Sequence, residues 1–374
     1  MRRWSLLNIA FLGGTLALAM VLVPLRFAHS LVHWGEWVMF LVMGCLVGLS
    51  VTCGYHRLFS HRAFRARWPV RLFLLCFGAA SFENSVLVWA SDHRRHHGQV
   101  DQEADPYNSR KGFWYAHWIW VMEARTGPVA GVADLERDPM VRWQHRHHFL
   151  IGTAAAVLPP LAVGLFTGDV AGQLIIAVLL RIVVTHHTTF FINSAAHFFG
   201  SQPYTDANSA RDNALLAPLT FGEGYHNFHH MWQWDYRNGV RWYQWDPSKW
   251  LIRALAWAGL AGGLRRVPYP AIRRARVRME EKALLARLAQ TVACAGTEGL
   301  NQRLVAARQR LDQALQALQE HREQWDQRKA ERRAAWAQLK AEWKQSLAQR
   351  RREARLAWLE WKSARLEVRR AVFA

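Results

Sequence analysis

Cysteine and acidic residues are scarce in this chain, and both shortages limit what it can be. Only Cys45, Cys53, Cys76 and Cys294 occur among 374 residues, and no two lie close in sequence. The pattern therefore excludes a disulfide-rich secreted scaffold and a CxxC zinc site. The 28 Asp and Glu are outnumbered by 48 Lys and Arg, which gives a net charge of +20. A disordered chain is also excluded, because 20 Trp and 18 Phe would not remain solvated.

Charge is missing from four long stretches, which we interpret as membrane-spanning helices. Twenty-two uncharged residues lie between Arg3 and Arg26, enough for a helix to cross a hydrocarbon core of about 30 Å. The other spans are predicted at Val38–Tyr55, Phe149–Gly168 and about Gly172–Ile192. The sequence therefore predicts an all-α polytopic membrane protein with four transmembrane helices.

The distribution of basic residues predicts how these spans are oriented. Residues 55–148 carry 13 Arg or Lys, whereas the connector 167–173 carries none. Because cytoplasmic loops are enriched in Arg and Lys, we expect the long basic loop and both termini in the cytoplasm.

Eight of the 18 histidines form three clusters beside the predicted spans. The spacings are H-x4-H, H-x2-H-H and H-x2-H-H, and the clusters consist of His56 and His61; His93, His96 and His97; and His226, His229 and His230. Helix positions i, i+3 and i+4 share one face, so each H-x2-H-H cluster can direct three imidazoles to one site. His56 and His61 would be about 140° apart on an ideal helix. We therefore expect the second span to end near His56, with His61 returning from the following turn.

The number of clustered histidines predicts a site with two metal ions. Eight imidazoles on one side of the membrane exceed the needs of one zinc ion, which usually takes four ligands. Sites rich in imidazole and free of thiolate suit iron, copper, nickel or zinc, so the metal stays open at this point. A further H-x-H-H sequence, at His145, His147 and His148, is interpreted as part of a basic interfacial belt.

The three clusters and the motifs beside them resemble the membrane-bound fatty acyl desaturases, specifically the acyl-CoA Δ9 (stearoyl-CoA-type) branch and its bacterial relatives. Asn193-Ser-Ala-Ala-His197 resembles the N-S-x-x-H motif of that branch. Gly222-Glu-Gly-Tyr-His226-Asn-Phe-His229-His230 resembles its extended third box, and Asp105-Pro-Tyr-Asn-Ser-Arg110 follows the second box as in the family. The resemblance covers about residues 30–265.

The resemblance implies a cytosolic helical cap that holds a non-haem diiron centre and uses O2 as co-substrate. Nine histidines would bind the two iron ions and carry catalysis, and Asn193 would reach a metal through water; the nine are His56, His61, His93, His96, His97, His197, His226, His229 and His230. A bacterial-like member would be an integral protein of the inner membrane, surrounded by lipid, with its active site on the cytoplasmic face.

The implied reaction introduces a cis double bond, at Δ9, into a saturated acyl chain carried as acyl-CoA. No side-chain acid, base or nucleophile oxidises an unactivated methylene group, so a metal centre must do so. The chain has no His-Pro-Gly-Gly motif of a fused cytochrome b5 and no cysteine pattern for an iron–sulfur or rubredoxin site. We therefore expect a separate electron donor, a ferredoxin, a rubredoxin or a b-type cytochrome, with its reductase. The alternatives are a diiron fatty acyl or alkane hydroxylase, and a desaturase that acts on acyl-carrier protein or phospholipid acyl chains.

Several polar residues are expected to support the metal ligands or to bind substrate. A ligating imidazole usually donates its other N–H to a carboxylate, a carbonyl or water. The candidate carboxylates are Asp92, Asp101, Asp105 and Glu223. For the phosphates of CoA the candidates are Arg110, Lys111 and Arg125.

The last third of the chain has a different composition. Residues 271–374 contain 24 Lys and Arg against 12 Asp and Glu, and neither Gly nor Pro occurs after Leu300. Leucine and tryptophan recur there at multiples of seven, which is a helical period. We predict a four-span desaturase domain at 1–268, a linker at 269–299 and a basic amphipathic helical extension at 300–374. That extension would be a solvated helix or coiled coil that allows self-association, or a helix resting on anionic lipid. No nucleic-acid binding is expected, because only the charge favours it.

Overall fold

The computed structural model describes residues 4–29, 34–124, 127–291, 297–331 and 336–373. These residues are almost entirely helical or irregular, since the only sheet among them is one antiparallel pair, β1 (Arg65–Ala66) with β2 (Ala261–Gly262). The chain divides into two compact units, Met1–Ser201 with Ala207–Arg266, and Gln202–Asp206 with Val267–Ala374. The all-α prediction is confirmed.

The helices follow one another along both units, and the stretch 199–225 between two of them contains no helix. In chain order they are α1 (Leu6–His29), α2 (Trp34–Leu49), α3 (Trp68–Ala79), α4 (Val86–Gly98), α5 (Trp120–Met122), α6 (Ala133–Glu136), α7 (Pro139–Thr167), α8 (Val170–Gly172), α9 (Arg181–Asn193), α10 (Ala195–Phe198), α11 (His226–Met231), α12 (Pro247–Trp257), α13 (Tyr269–Thr291), α14 (Thr297–Glu331) and α15 (Trp336–Phe373). Three π-helical segments, Ser50–Ser60, Tyr115–Ile119 and Gln173–Leu180, and the 3-10 turn Ser109–Lys111 complete the set.

Four helical stretches of the first unit are long and apolar enough to cross a membrane. They are Leu6–Ala28, Trp34–Ser60, Pro139–Thr167 and Val170–Phe198, with 23, 27, 29 and 29 residues. The four-span prediction is confirmed, and the helices are longer than the uncharged runs because residues outside those runs continue them. The third begins at Pro139, where the Asp138 side chain accepts hydrogen bonds from the first turn, and ends at Gly168 with a positive φ of 81°.

The second span does not end near His56, contrary to the sequence-based expectation. It continues to Ser60 as a π-helix in which every residue is buried. The backbone N–H of His61 donates to the carbonyl of His56 at 3.1 Å, which is the i to i+5 bond of a π turn. The wider turn stacks residues five apart, so His61 follows His56 on one face without a change of chain direction.

A buried ion cluster ties the spans together at the end opposite the histidines. The Arg26 guanidinium donates to Glu36 at 2.6 Å and also to Asp169. These residues lie at the end of α1, the start of α2 and the connector between α7 and α8. The cluster neutralises charges that would be costly at the edge of the hydrocarbon core.

The loop side of the first unit has its own apolar core. Leu58 and Phe59 of the second span pack there with Leu74 and Leu75 of α3 and Ile252 of α12. Helices α3 and α12 have 12 and 11 residues and are too short to span a membrane.

The second unit contains α13, α14 and α15, which share an apolar core. Leu304, Leu311 and Leu315 of α14 are buried there, with Val277 and Leu284 of α13 and Trp361 and Val368 of α15 among the other members. The stretch 269–299, predicted as a linker, therefore consists largely of a packed helix. Its apolar positions are interrupted by arginines, which hides the helical period in the sequence.

Candidate metal centre

The second histidine cluster lies on α4, which begins directly after a capping serine. The Ser85 hydroxyl accepts a hydrogen bond from the backbone N–H of Val88 in the first turn. His93, His96 and His97 then fall one turn apart, on one side of the helix. Their rings turn toward the end of the second span, where His61 Nε2 lies 2.8 Å from His93 Nε2.

The third cluster lies on α11, a helix of only six residues. The Asp212 carboxylate fixes its first turn by accepting hydrogen bonds from the backbone N–H groups of Asn227 and Phe228, at 2.9 and 3.1 Å. His197, on α10 after the fourth span, lies with its Nε2 atom 3.1 Å from that of His226. The structure thus brings residues from all predicted clusters to one region.

The nine predicted ligands separate into two groups that could each hold a metal ion. Within each group, the candidate nitrogens all lie within 4.8 Å of one another. One group has five members and the other has four: His56, His61, His93, His97 and His229; and His96, His197, His226 and His230.

The spacing of the nitrogens fits ligands of one metal ion as well as it fits hydrogen bonds. Nε2 atoms face one another at 2.9 Å for His56 and His229, at 3.0 Å for His97 and His229, and at 3.0 Å for His226 and His230. Nitrogens bound at right angles to one ion, at about 2.1 Å each, would be separated by about 3.0 Å. Moreover, His229 Nε2 faces two such neighbours, and a single ring proton cannot serve both. Both groups could therefore hold metal ions, and their thiolate-free imidazole set suits iron, copper, nickel or zinc.

Burial favours the neutral form of six of these imidazoles, which is the form that binds a metal. Burial, and then the neighbouring imidazoles, lower the pKa of His61, His93, His97, His226, His229 and His230 well below the ordinary value. A neutral ring keeps one nitrogen lone pair free for a metal.

The outer nitrogens of several of these rings contact polar groups, as expected for oriented ligands. His56 Nδ1 lies 3.0 Å from Glu223, and His96 Nδ1 lies 2.9 Å from Asp105. Both carboxylates were proposed from the sequence for this role. His93 Nδ1 lies 3.1 Å from the Tyr107 hydroxyl. Tyr107 belongs to the Asp-Pro-Tyr motif, but we did not predict this contact.

Asp101 is linked to the ligand candidate His197 through Ser209, whereas Asp92 lines the neighbouring cavity. The Ser209 hydroxyl lies 2.7 Å from His197 Nδ1 and 2.5 Å from the Asp101 carboxylate. Burial alone would raise the pKa of Asp101, but hydrogen bonds from Ser209 and Ser109 outweigh it and keep the pKa below the ordinary value. Asp92 lies along the neighbouring cavity, 3.9 Å from the Arg95 guanidinium.

A buried charge network holds the first and third clusters together. Arg57 follows His56 and donates to Glu223 at 3.0 Å and to Asp246 at 3.1 Å. Burial alone would raise the pKa of Glu223, but His56 and Arg57 lower it below its usual value, so the carboxylate stays charged. Sequence analysis missed Arg57 and Asp246, because neither lies in a cluster of candidate ligands.

A cavity of about 590 Å³ runs beside the histidines. Phe11, Leu12, Phe82, Phe190 and Ile192 line its apolar part, and His56, His93 and His226 line its wall together with Asn193. Several acidic side chains also line it, among them Glu83, and burial raises the pKa of this carboxyl to about 7. An elongated apolar molecule in this cavity would pass next to the metal site.

The predicted substrate-binding residues differ in their positions. Lys111 lines the cavity, with its ammonium group 5.0 Å from the centre of the Tyr115 ring. Arg110 is exposed and is not among the lining residues, and Arg125 lies outside the described residues. Arg95, which we did not predict, lines the cavity on the side of α4. Arg95 could have been proposed from the sequence, because it lies between His93 and His96.

Other histidines make contacts outside the two groups. His145 Nδ1 lies 2.6 Å from the Ser85 hydroxyl, which agrees with its exclusion from the ligand set. His117 lies between Ser194 and His187, at 3.0 Å from each, and burial lowers its pKa to about 4. His117 therefore supports the turn between α9 and α10, which carry Asn193 and His197.

The fold and the site define a polytopic helical membrane protein with two histidine groups that could hold metal ions, beside a cavity that is apolar in part. The fatty acid desaturase family model matches residues 33–262 of the chain. Because this match covers more than half of the chain, the protein belongs to the fatty acid desaturase family.

Individual relatives narrow the comparison to proteins named for acyl-CoA substrates. The chain is 46% identical over 241 residues to a probable acyl-CoA desaturase of Schizosaccharomyces pombe, a match that covers 63% of this chain and 50% of the relative. It is 44% identical to acyl-CoA desaturase 1 of Saccharomyces cerevisiae, over 63% of this chain and 47% of that protein. Human stearoyl-CoA desaturase 5 is 34% identical over 72% of this chain and 82% of its own length. The chain spans about half the length of the two fungal relatives. All three are eukaryotic, so a bacterial origin stays a prediction.

Proposed function

We propose that this protein is an oxygen-dependent fatty acyl desaturase that forms a cis double bond, at Δ9, in a saturated acyl-CoA. The observation that carries the proposal is the two groups of histidines, members of which line one cavity that also has an apolar part. In the reaction, two hydrogens leave adjacent methylene groups. O2 becomes two waters by taking those hydrogens, two electrons from a donor and two protons.

Two iron ions would be held by the five-histidine group and the four-histidine group. When bound, they supply the oxidation of an unactivated C–H bond, which no side chain can perform. Asn193, which shares the cavity wall with His226, would position a water at the second group.

The protein's own residues keep the ligands in the required protonation state. Glu223 next to His56 and Asp105 next to His96 favour a proton on Nδ1, which leaves Nε2 free to face the metal. Ser209 and Asp101 act in the same way on His197. Because these groups already lie next to their partners inside the protein, the site needs little rearrangement when metal binds.

The cavity would bind the acyl chain and determine which methylene groups meet the oxidant. Phe11, Phe82, Phe190 and Ile192 would exclude water around the chain. Lys111 and Arg95 would attract the phosphates of CoA, with Arg110 and Arg125 as further candidates. The names of the relatives favour acyl-CoA over acyl-carrier protein or phospholipid.

Electrons would come from a separate ferredoxin, rubredoxin or b-type cytochrome with its reductase. We propose that the site faces the cytoplasm, at the inner membrane if the source is bacterial, because the loops on the histidine side carry the basic excess. A soluble donor would then reach it without crossing the bilayer.

The proposal is tested by expression in cells that make only saturated fatty acids, with a donor and reductase supplied. Lipid mass spectrometry should find a new monounsaturated product, and the position of the double bond gives the regiochemistry. A matched His229→Ala variant should give none. Hydroxylated chains without alkene, from a metal-loaded protein, would instead assign a hydroxylase.

A further inference from the structure

Helix α15 has a second apolar stripe that the core of its unit does not use. Leu347, Ala354, Trp361 and Val368, seven residues apart, are buried on its inner side. Leu356, Leu359 and Leu366 are 61%, 49% and 41% exposed. At about 100° per residue these leucines fall within an arc of about 80°, on the side opposite the buried residues.

Basic side chains surround this stripe. Four of them line one edge and two lie at its ends, and all are exposed: Arg351, Arg355, Lys362 and Arg369 along the edge, and Arg352 and Arg370 at the ends. No ion pair to any of these six is found among the residues that the structure describes.

The acidic residues at the other edge are already neutralised. Glu360 lies 2.9 Å from Arg310, and Glu367 lies 3.0 Å from Arg303. Glu353 lies 3.3 Å from Arg350. The charge that this face offers to a partner is therefore positive only.

We propose that this outward face of α15 docks on the surface of a bilayer that contains anionic lipid. Leucines flanked by arginine and lysine are typical of helices that lie in a membrane interface, with the apolar side chains inserted and the cations at the headgroups. The candidate spans keep the unit near a bilayer, so docking is an event within one bound molecule. The proposal does not depend on the enzymatic activity.

The charge and the leucines of this face favour an anionic bilayer over a second copy of the chain or a nucleic acid. A second copy would oppose six cations to six cations, which disfavours self-association through this face. A nucleic acid would pair with the cations but would leave three leucines against a polar phosphate backbone. An anionic leaflet satisfies both kinds of side chain.

The test uses the full-length protein in lipid nanodiscs. Cys45, Cys76 and Cys294 are replaced by serine, and a polarity-sensitive fluorophore is attached through Ser363→Cys, between the exposed leucines. A control label is attached through Gln313→Cys on α14, which is exposed in the same unit. Emission is compared in phosphatidylcholine discs and in discs with about a third of the lipid replaced by phosphatidylglycerol.

We expect a blue shift at position 363 in the anionic discs alone, and none at position 313. The shift should disappear at about 1 M salt, where the Debye length falls to about 3 Å. Arg355→Glu with Lys362→Glu and Arg369→Glu should lower the ratio of docked to free molecules about a hundredfold or more. Leu356→Ser with Leu359→Ser should also weaken docking.

A matched triple variant, Arg322→Glu with Arg328→Glu and Lys340→Glu, changes net charge equally away from this face and should dock normally. If both triple variants lost docking equally, net charge alone would explain the loss, and the proposal would be overturned. Equal emission in both disc types would overturn it too. A shift in detergent that grows with protein concentration, or one that requires added nucleic acid, would assign the face to another partner.

Discussion

Replacing Asp105 by asparagine separates a role in orienting a ligand from a role in the fold. Asp105 is 2% exposed, and one oxygen lies 2.9 Å from His96 Nδ1 and 3.1 Å from the backbone N–H of Tyr107. The other oxygen accepts from the backbone N–H of Asp101 at 3.1 Å. All three partners donate hydrogen bonds to Asp105. In the asparagine variant, the side-chain NH2 group would therefore face another donor at one of these contacts. His96 loses a charged acceptor.

The magnitude follows from what such a contact does for a metal ligand. Loss of the partner of a ligating histidine reduces metal affinity about 10- to 100-fold, or about 1.4–2.8 kcal/mol. Because His96 belongs to the four-histidine group, the metal of that group should be lost first. Iron per chain, measured by mass spectrometry during a chelator titration, should fall from two toward one at a lower chelator concentration than in the wild type.

Asp235→Asn is the matched control for Asp105→Asn. Asp235 is equally buried and accepts hydrogen bonds from the backbone and the side chain of Arg237, and it belongs to neither histidine group. This variant should lose stability and keep its iron. An unchanged chelator midpoint in Asp105→Asn, or equal loss in both variants, would refute the reasoning.

Three further predictions concern the centre, the cavity and the second unit. His229→Ala should abolish desaturation, measured by lipid mass spectrometry, while membrane fractionation finds the protein still inserted; retained product would exclude His229 as a ligand. Burial raises the pKa of Glu83 from 4.5 to about 7, so its carboxyl becomes charged in the cavity as pH rises through 7, and the folded state loses stability between these two values. KM for the acyl substrate should therefore rise from pH 6 to pH 8 in the wild type and stay flat in Glu83→Gln; parallel profiles would contradict this. Deletion of residues 300–374 should leave Val277 and Leu284 of α13 uncovered and cause aggregation. Deletion from Val267 onward removes α13 as well, and the remaining protein, isolated by size-exclusion chromatography, should keep its iron per chain unchanged. Equal behaviour of the two truncations would argue against a shared core.

Sequence patterns were sufficient for the spans and for the choice of histidines. Uncharged, apolar runs of about 20 residues are rare outside membrane-spanning helices, so the four helices could be predicted. The three spacings and the motif at Asn193-Ser-Ala-Ala-His197 selected the nine histidines that the structure brings together. Asp105 and Glu223 could be proposed because they lie within the same motifs.

Contacts between distant segments could not be predicted in this way. Ser209 joins Asp101 to His197 from a loop that carries no ligand. Asp246 reaches Arg57 across 189 residues of sequence. Helix α13 was missed for a different reason, since arginines interrupt its apolar positions and its buried side chains are covered only when α14 and α15 pack against it.

The π-helical segment shows why the first cluster was the hardest to interpret. An α-helical period would turn His61 away from His56, so the sequence alone suggested a break in the helix. A π turn brings the two rings to 4.7 Å between centroids without a break. Such turns are rare, and here the whole segment is buried. Arg57, one residue after His56, forms an ion pair with Glu223, and Glu223 in turn contacts His56. The same segment thus fixes a pair of ligands and the carboxylate that orients one of them, so a shift of its register would disturb both at once.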